Sequence, residues 1–210
     1  MIDLQKDNGV WIVTLNRPEK ANSLTKAMLE DLAQIAMSAA GDARVLIFTG
    51  KGNVFSAGAD LDEARAGLAV DDVWERLSNA VSAAPCLTIA ALNGTLAGGA
   101  FGMALACDIR IAVPEAKFFY PVMKLGFLPQ PSDPRRMAGL IGPARTKMIL
   151  MSGQRILSDE ALRWGLVDRL VARDALVETA LELADDARSQ SAEHVAEMKQ
   201  MISETRSISA

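Results

Sequence analysis

The stretch LTIAALNGTLAGGAFGMALACD, residues 87–108, joins a strand pattern, a glycine corner and a helix pattern without a charged side chain before its final residue. Residues 87–92 form a short apolar run that ends at an Asn-Gly turn signal, which predicts a buried strand. Gly98 and Gly99 then open a run of Ala, Met and Leu residues, which favour helix. A helix N-terminus presents unpaired N–H groups and about half a unit of positive charge, and glycine lets a polarised carbonyl approach closely. The stretch therefore predicts a site for an oxyanion.

Two simpler interpretations of this stretch stay open in the sequence. A strand, a glycine pair and a helix also make ordinary α/β packing with no site attached. Residues 79–107 carry no charge, and this run is longer than the roughly 20 residues that a membrane-spanning helix requires. Pro85 and the glycines interrupt the run, and no Lys/Arg cluster flanks it on one side. The pattern therefore favours a folded core over a membrane span.

The composition predicts one globular domain and excludes several kinds of site. Half of the 210 residues are hydrophobic and the net charge is −4, which suits a chain with a substantial core. Lys and Arg form no basic stripe, so no nucleic-acid partner is expected. Cys86 and Cys107 follow no metal or redox spacing and His194 is the only histidine, so zinc sites and Ser-His or Cys-His catalysis lack their parts. The N-terminal residues have no apolar signal core, which predicts a cytoplasmic protein.

The rest of the chain alternates strand and helix patterns, which indicates an α/β fold. Thr25 is the predicted N-cap of the first helix, and Asp133 and Ser158 are the predicted N-caps of two later ones. The polar, mixed segment 62–82 predicts a mobile loop followed by a helix. Strands are predicted at 10–16, 45–48, 87–92, 109–113, 117–120 and 166–171, and helices at 25–40, 134–140, 142–151, 158–164 and along the amphipathic segment 173–203.

Four motifs, in this order, carry a resemblance to a known family. They are NRPEKANSL at 16–24, FSAGADL at 55–61, NGTLAGGAFGMALACD at 93–108 and LSDEALRWGLVDRLV at 157–171. In the second motif, small residues surround a glycine directly after a buried strand, which leaves backbone N–H groups exposed. Together the motifs resemble the crotonase superfamily, also called the enoyl-CoA hydratase/isomerase family, and the match runs through most of the chain.

The resemblance implies a fold and an assembly. The expected α/β fold is a crotonase-like spiral of ββα units with an acyl-CoA pocket over residues 1–140. A C-terminal helical region over 141–210 belongs to the same structural unit. The resemblance also implies a homotrimer or a hexamer built as a dimer of trimers. The chain ends soon after Met201, so we expect the terminal helices of the family to be shortened.

The resemblance also implies a substrate and the residues that hold it. Family members bind an acyl-CoA thioester and hold its carbonyl oxygen with two backbone N–H groups, which stabilises the enolate-like charge of the reaction. By position these donors are Ala59 and Gly99. No cofactor is implied beyond the CoA moiety of the substrate. The implied CoA contacts are Lys20, Ala21 and Ser23 near the nucleotide, with Lys20 as the phosphate partner, and Ala57, Asp60 and Leu61 around the adenine and pantetheine.

Two positions depart from the hydratases of this family. Those enzymes carry one glutamate three positions after the oxyanion glycine and another directly after a proline in the next strand. This chain has Gly102 and Val122 there. Loss of one general acid or base typically costs 10²- to 10⁴-fold in rate, so efficient hydration is not expected, and Val122 also argues against the single-glutamate isomerases. The family's glycine-rich loop is replaced by residues 129–134, which changes the wall of the acyl pocket.

Three residues are candidates for replacing the missing carboxylates. Tyr120 lies two residues before Val122 and would share its face on a strand. Gln130 occupies the position from which some members present a tyrosine or an aspartate. Asp133 is the nearest carboxylate in that loop. Each has a structural interpretation that the sequence favours: Tyr120 as packing, Gln130 as a loop residue and Asp133 as a helix cap.

Three functions follow from this pattern. The first is an acyl-CoA enzyme whose reaction needs mainly the oxyanion hole, such as decarboxylation of a malonyl-type thioester or hydrolysis. The second is a hydratase or isomerase with relocated acid and base groups. The third is a non-catalytic binder of CoA thioesters that keeps the pocket and lacks the chemistry.

Overall fold

Two β-sheets organise residues 1–205, the part of the chain that the computed structural model describes. The strands are β1 (Ile2–Asp7), β2 (Val10–Leu15), β3 (Val45–Gly50), β4 (Val54–Ser56), β5 (Leu87–Leu92), β6 (Thr95–Ala97), β7 (Ile109–Ala112), β8 (Lys117–Phe119), β9 (Ile156–Leu157) and β10 (Arg169–Leu170). The helices are α1 (Lys26–Ser38), α2 (Leu61–Arg65), α3 (Val73–Ala83), α4 (Phe101–Ala106), α5 (Val122–Leu125), α6 (Asp133–Leu150), α7 (Ser158–Trp164), α8 (Leu176–Leu183), α9 (Asp185–Ser189) and α10 (Ala192–Thr205).

From β3 to β8 the strands alternate between the two sheets as the chain advances. The six-stranded sheet has the order β1-β2-β3-β5-β7-β10, and the four-stranded sheet has the order β4-β6-β8-β9. Strands β3, β5 and β7 run parallel in the first sheet, and β4, β6 and β8 run parallel in the second. Each turn therefore supplies one strand to each sheet and then a helix. This arrangement confirms the predicted α/β fold, a crotonase-like spiral of ββα units.

The first helix and the strand after it form as their sequences predict. The Thr25 hydroxyl accepts the N–H of Met28 at 3.2 Å and so caps α1. One face of α1 is buried, and its residues are Met28, Leu29, Leu32, Ala33 and Ala36. Strand β3 lies between β2 and β5 and is buried on both faces over residues 45–48, which explains its uninterrupted apolar sequence.

The segment after FSAGADL differs from the loop that its polar composition predicts. It forms α2 and then a 3-10 turn at Leu68–Val70. The Lys26 N–H donates to the Glu63 carboxylate at 2.6 Å, and the Lys26 ammonium lies 2.7 Å from the Asp71 carboxylate. These contacts tie the segment to the start of α1. The predicted loop is therefore wrong over residues 62–65, which are helical, whereas the helix predicted after the loop forms as α3.

Two predicted N-caps are wrong. Helix α6 has Ser132 as its N-cap, and Asp133 is its first residue with a fully buried side chain. Helix α7 has Leu157 as its N-cap, and the Ser158 hydroxyl instead donates to the Pro114 carbonyl at 2.5 Å. In both cases burial against a neighbouring element decides where the polar side chain points, which local sequence does not show.

The strand predicted over residues 117–120 is shorter than expected. Strand β8 ends at Phe119, and Val122 begins the short helix α5. Tyr120 and Val122 therefore do not alternate on one strand, and the argument that they share a strand face is wrong. The Val122 N–H donates to the Tyr120 carbonyl at 2.9 Å, so the chain turns between them.

From α6 onward the described chain mixes helices with two short strands. Helix α6 breaks at Gly142, whose φ is 79°, where the sequence predicts one helix ending and another beginning. Strand β9 pairs with β8, and β10 pairs with β7. The predicted division into a spiral core over residues 1–140 and a helical region over 141–210 stays a prediction. Among residues 1–205, no helix is both long and apolar enough to cross a membrane.

Candidate functional site

Two glycine turns meet where β4 and β6 end. Gly58 follows β4 and Gly98 follows β6, and both have left-handed φ angles, 92° and 57°. A Cβ on Gly58 would lie 3.0 Å from the Ala97 carbonyl oxygen and 3.3 Å from the Gly98 Cα. Only glycine fits this backbone contact without a shift. The contact brings together the two turns that carry the predicted donors Ala59 and Gly99.

The amides of Ala59 and Gly99 are not used by the backbone around them. The Leu24 N–H donates to the Gly58 carbonyl at 2.7 Å, and the Asp60 N–H donates to the Leu24 carbonyl at 2.9 Å. This parallel bridge leaves the Ala59 N–H directed away from Leu24. Gly99 lies in the first 3-10 turn before α4, where N–H groups have no partner within the helix. Within residues 1–205, neither amide pairs with a backbone acceptor.

Helix α3 covers this corner. A Cβ on Gly99 would lie 3.0–3.1 Å from the ring of Trp74, and a Cβ on Gly102 would lie 3.5 Å from the Ser78 Cβ. The Trp74 ring is buried and its indole N–H donates to the Leu68 carbonyl at 2.8 Å. The Trp74 ring therefore packs against the turn that carries the Gly99 amide. In the sequence this residue is simply one of the apolar positions of a helix.

Asp133 and Tyr120 form a buried pair next to α4, beside Gly102. The Tyr120 hydroxyl donates to the Asp133 Oδ2 at 2.9 Å, and the Tyr120 ring stacks on Phe101 with centroids 5.4 Å apart. Asp133 is 0% exposed. Its Oδ1 has no hydrogen-bond partner in the described part of the chain. That oxygen would lie 3.0 Å from a Cβ on Gly102, so the carboxylate fills the space beside the missing side chain.

Burial changes the acid-base behaviour of this pair. It raises the pKa of Asp133 to about 7, against the smaller lowering effects of the Tyr120 hydrogen bond and of the Arg136 charge. Burial also raises the pKa of Tyr120 well above its ordinary value, and the neighbouring Asp133 adds to this. Tyr120 therefore stays a hydrogen-bond donor, while Asp133 populates both protonation states near neutral pH.

A polar network surrounds the pair. The Glu75 carboxylate accepts from the Ser132 N–H at 3.2 Å and from its hydroxyl at 3.0 Å. Arg136 donates to the hydroxyls of Ser132 and Ser78 and to the side-chain carbonyl of Asn79. The network joins α3 to the start of α6, which fixes the backbone that carries Asp133.

Two other predicted positions, Val122 and Gln130, are hydrogen-bonded through their backbones to this pair. Val122 is buried and presents only an apolar side chain. Gln130 is half-buried, and its backbone carbonyl accepts the Asp133 N–H at 3.1 Å. The structure thus brings Tyr120, Asp133 and Gly102 together, with Gln130 as a backbone neighbour.

The loop that carries the predicted CoA-nucleotide contacts is held by Asn22, a residue to which the sequence assigned no role. Asn22 is fully buried with φ of 50°. Its side-chain amide donates to the carbonyls of Lys51 and Val54, and its side-chain oxygen accepts the Arg17 N–H at 2.8 Å. Ala21 also has a left-handed φ, 51°, and Lys20 is exposed. In the sequence, the only indication of this role is that Asn22 lies within the motif NRPEKANSL.

Arg17 is a second residue that the sequence did not assign. Its guanidinium lies 2.8 Å from the Asp60 carboxylate and also donates to the carbonyl and hydroxyl of Ser23. Asp60 caps α2 by accepting the N–H groups of Asp62 and Glu63. The side chains of Asp60 and Ser23 are therefore engaged within the protein. Ala57 and Leu61 are exposed, Leu61 to 73%.

Comparison with known proteins identifies the family to which this chain is similar. The sequence profile described as Enoyl-CoA hydratase/isomerase matches residues 5–209. The chain is 35% identical over 211 residues to the short-chain-enoyl-CoA hydratase of Clostridium acetobutylicum, covering 95% of this chain and 79% of the relative. It is 35% identical over 196 residues to the carnitinyl-CoA dehydratase of Citrobacter koseri, covering 90% of this chain and 75% of the relative. The crystal structure of an enoyl-CoA hydratase from Bacillus anthracis matches with a TM-score of 0.87 at 35% identity, covering 96% and 82%.

The ββα spiral and its match to solved structures define a protein of the crotonase fold class. The chain belongs to the enoyl-CoA hydratase/isomerase family, which acts on acyl-CoA thioesters.

Proposed function

We propose that this protein is an acyl-CoA enzyme that holds the thioester carbonyl oxygen between the amides of Ala59 and Gly99. The observation that carries the proposal is the contact between Gly58 and Gly98, beside which both amides lack a backbone acceptor. Preorganised donors aimed at developing charge are worth about 3–4 kcal/mol each. Such a site accelerates reactions that pass through an enolate or a tetrahedral oxyanion.

The reaction we favour is decarboxylation of a malonyl-type thioester or hydrolysis, not hydration. Gly102 and Val122 carry no group that can move a proton. A hydratase places one glutamate at each of these positions, and water cannot be added efficiently without such groups. The oxyanion hole by itself serves an enolate that forms by loss of carbon dioxide.

A second candidate is a non-catalytic binder of CoA thioesters. The Trp74 ring packed on Gly99 favours it, because the ring covers the corner where the thioester would react. A binder would retain affinity for acyl-CoA and leave it chemically unchanged.

A substrate panel separates these candidates. Malonyl-CoA, methylmalonyl-CoA, a β-ketoacyl-CoA and crotonyl-CoA are incubated with the protein and followed by mass spectrometry. We expect decarboxylation or hydrolysis of at least one of the first three and little hydration of crotonyl-CoA. Hydration near ordinary enzyme rates of roughly 10 s⁻¹ would contradict the argument from Gly102 and Val122.

Two substitutions at one position test the donor. Gly99→Pro removes the N–H, whereas Gly99→Ala keeps it, and both press a new Cβ against Trp74. We expect Gly99→Pro to lose about 10²- to 10³-fold more activity than Gly99→Ala. Equal activity in the two variants would mean that the oxyanion is held elsewhere.

For the CoA nucleotide we propose Lys20 as the phosphate partner, because it is exposed at the end of the 3-10 turn Pro18–Lys20. Ala21, Ser23, Ala57, Asp60 and Leu61 are the other proposed contacts. Lys20→Gln should weaken CoA binding about threefold and reduce its salt dependence, as measured by calorimetry. Lys147→Gln, on the exposed face of α6, is the matched control. Equal affinity in the two variants would remove Lys20 from the site.

We also propose a homotrimer or a hexamer, a cytoplasmic location and no cofactor beyond the CoA moiety. Apolar side chains exposed between α5 and α6, among them Leu128 at 84%, support an assembly surface. Light scattering tests the assembly, and a monomer at micromolar concentration would contradict it. A fluorescent fusion tests the location, and activity that survives dialysis against a chelator tests the absence of a metal.

A further inference from the structure

Gly102 and Asp133 compete for one volume. A Cβ at position 102 would lie 3.0 Å from one carboxylate oxygen of Asp133 and 3.5 Å from the other. A side chain at 102 and the Asp133 carboxylate therefore cannot both occupy this space without a shift. The residue at position 102 is glycine, and the carboxylate that occupies the space beside it comes from another element, helix α6.

This volume lies beside the proposed oxyanion donor. Gly99 and Gly102 are three residues apart across the start of α4, so they are neighbours on one side of the helix, about 5–6 Å apart. In a thioester, the α-carbon is bonded to the carbonyl carbon. A substrate whose oxygen is held at Gly99 would be bound on the side of α4 where the Asp133 carboxylate lies beside Gly102.

The two oxygens of Asp133 are in different situations. Oδ2 accepts the Tyr120 hydroxyl at 2.9 Å. Oδ1 faces Gly102, is buried and has no partner in the described residues. A buried acceptor without a partner is unusual and calls for a reason. One held oxygen and one spare oxygen make an arrangement that can pass a proton to a bound molecule.

We propose that Asp133 exchanges a proton with the α-carbon of the bound thioester through Oδ1, and that Tyr120 is its positioning residue. This inference rests on the proposed binding of acyl-CoA at Ala59 and Gly99. It assigns to α6 the proton transfer for which Gly102 and Val122 have no group.

The carboxylate takes the α-proton, the C–H electron pair forms the α-carbon to carbonyl-carbon double bond, and the carbonyl π pair moves to the oxygen held by the two amides. In the reverse direction the neutral carboxyl returns a proton to the α-carbon and restores the thioester. The same reverse step protonates the enolate that remains after a malonyl-type thioester loses carbon dioxide.

The surroundings keep both protonation states of Asp133 accessible. The charged and titratable groups that face it are Tyr120, Glu75 on α3 and Arg136 on α6. Burial, with a smaller contribution from Glu75, raises its pKa to about 7 against Tyr120 and Arg136. The base form therefore accumulates as the pH rises through about 7.

Deuterium exchange tests the proton transfer directly. The protein is incubated with butyryl-CoA in D2O, and deuterium at the α-carbon is followed by mass spectrometry across pH 5–9. Calorimetry with butyryl-CoA measures binding separately. We expect the wild type to exchange deuterium with a midpoint near pH 7. Asp133→Asn should still bind butyryl-CoA, but its exchange should be at least about 100-fold slower. Asp31→Asn makes the same chemical change on the exposed face of α1 and should exchange like the wild type.

Tyr120→Phe distinguishes positioning from mere packing. It keeps the ring on Phe101 and removes the hydroxyl that lowers the pKa of Asp133. The midpoint of exchange should move to higher pH, with most of the rate recovered there. An unchanged midpoint in Tyr120→Phe, or wild-type exchange in Asp133→Asn, overturns the proposal. Wild-type protein that binds butyryl-CoA without exchange overturns it and leaves the proposed binding intact, whereas absence of binding overturns both.

Discussion

Asp60 and Asp133 are two aspartates in opposite surroundings. Asp60 faces the Arg17 guanidinium at 2.8 Å and accepts two backbone N–H groups at the start of α2. Its hydrogen bond from Arg17 holds its pKa below the usual range. Asp133 has one neutral donor and one oxygen without a described partner, and burial raises its pKa to about 7. A carboxylate saturated with donors stabilises the scaffold, whereas one with a spare buried oxygen is available for chemistry.

The pH dependence of stability should separate the two aspartates most strongly. The raised pKa of Asp133 means that the folded state holds its proton more tightly than the unfolded state. The stability that this proton contributes is fully present below about pH 4 and is lost as the pH rises to about 7. At about 1.4 kcal/mol per pH unit, the free energy of unfolding should fall by roughly 4 kcal/mol over this range. Asp133→Asn should remove this decline, as measured by urea unfolding between pH 4 and 8. Parallel curves of stability against pH for the variant and the wild type would contradict a raised pKa at Asp133.

The glycine contact beside Asp60 should give the next largest effect. Gly58→Ala combines a left-handed φ of 92° with a Cβ only 3.0 Å from a backbone oxygen, so it should cost about 2–3 kcal/mol and most of the activity. Gly41→Ala has a similar φ of 87° and meets no atom within 4 Å, so it should cost about 1 kcal/mol. Thermal unfolding of both variants measures the difference. Equal losses would show that the two turns do not press on each other.

Asp60→Asn should have the smallest effect of the three and the opposite pH sign. Asn can still cap α2, so the change mainly removes the ion pair with Arg17. Because the pKa of Asp60 is lowered in the fold, the stability it contributes is present above about pH 4 and is lost as the pH falls. The wild type and the variant should therefore differ at pH 7 and converge in acid. A difference that persists unchanged in acid would mean that packing, not charge, explains the loss.

Much of the scaffold follows from local sequence. Thr25 caps α1, the apolar run at 45–48 becomes a buried strand, and Gly142 breaks a helix, because each depends on residues a few positions apart. The errors fall where contacts between residues distant in the chain override local preference. Ser158 bonds to Pro114 across 44 positions, and Glu63 reaches back to Lys26.

The sequence by itself determined the family and the two turns that carry Ala59 and Gly99, because their glycines and small residues lie within short motifs. It also determined that Gly102 and Val122 carry no acid. Only the tertiary structure decided what stands beside Gly102. Helix α6 folds back onto α4 and brings Asp133 there from 31 positions away. Its burial, its Tyr120 partner and its raised pKa depend on that packing, since a pKa reflects the surroundings of a group in space and not its neighbours along the chain.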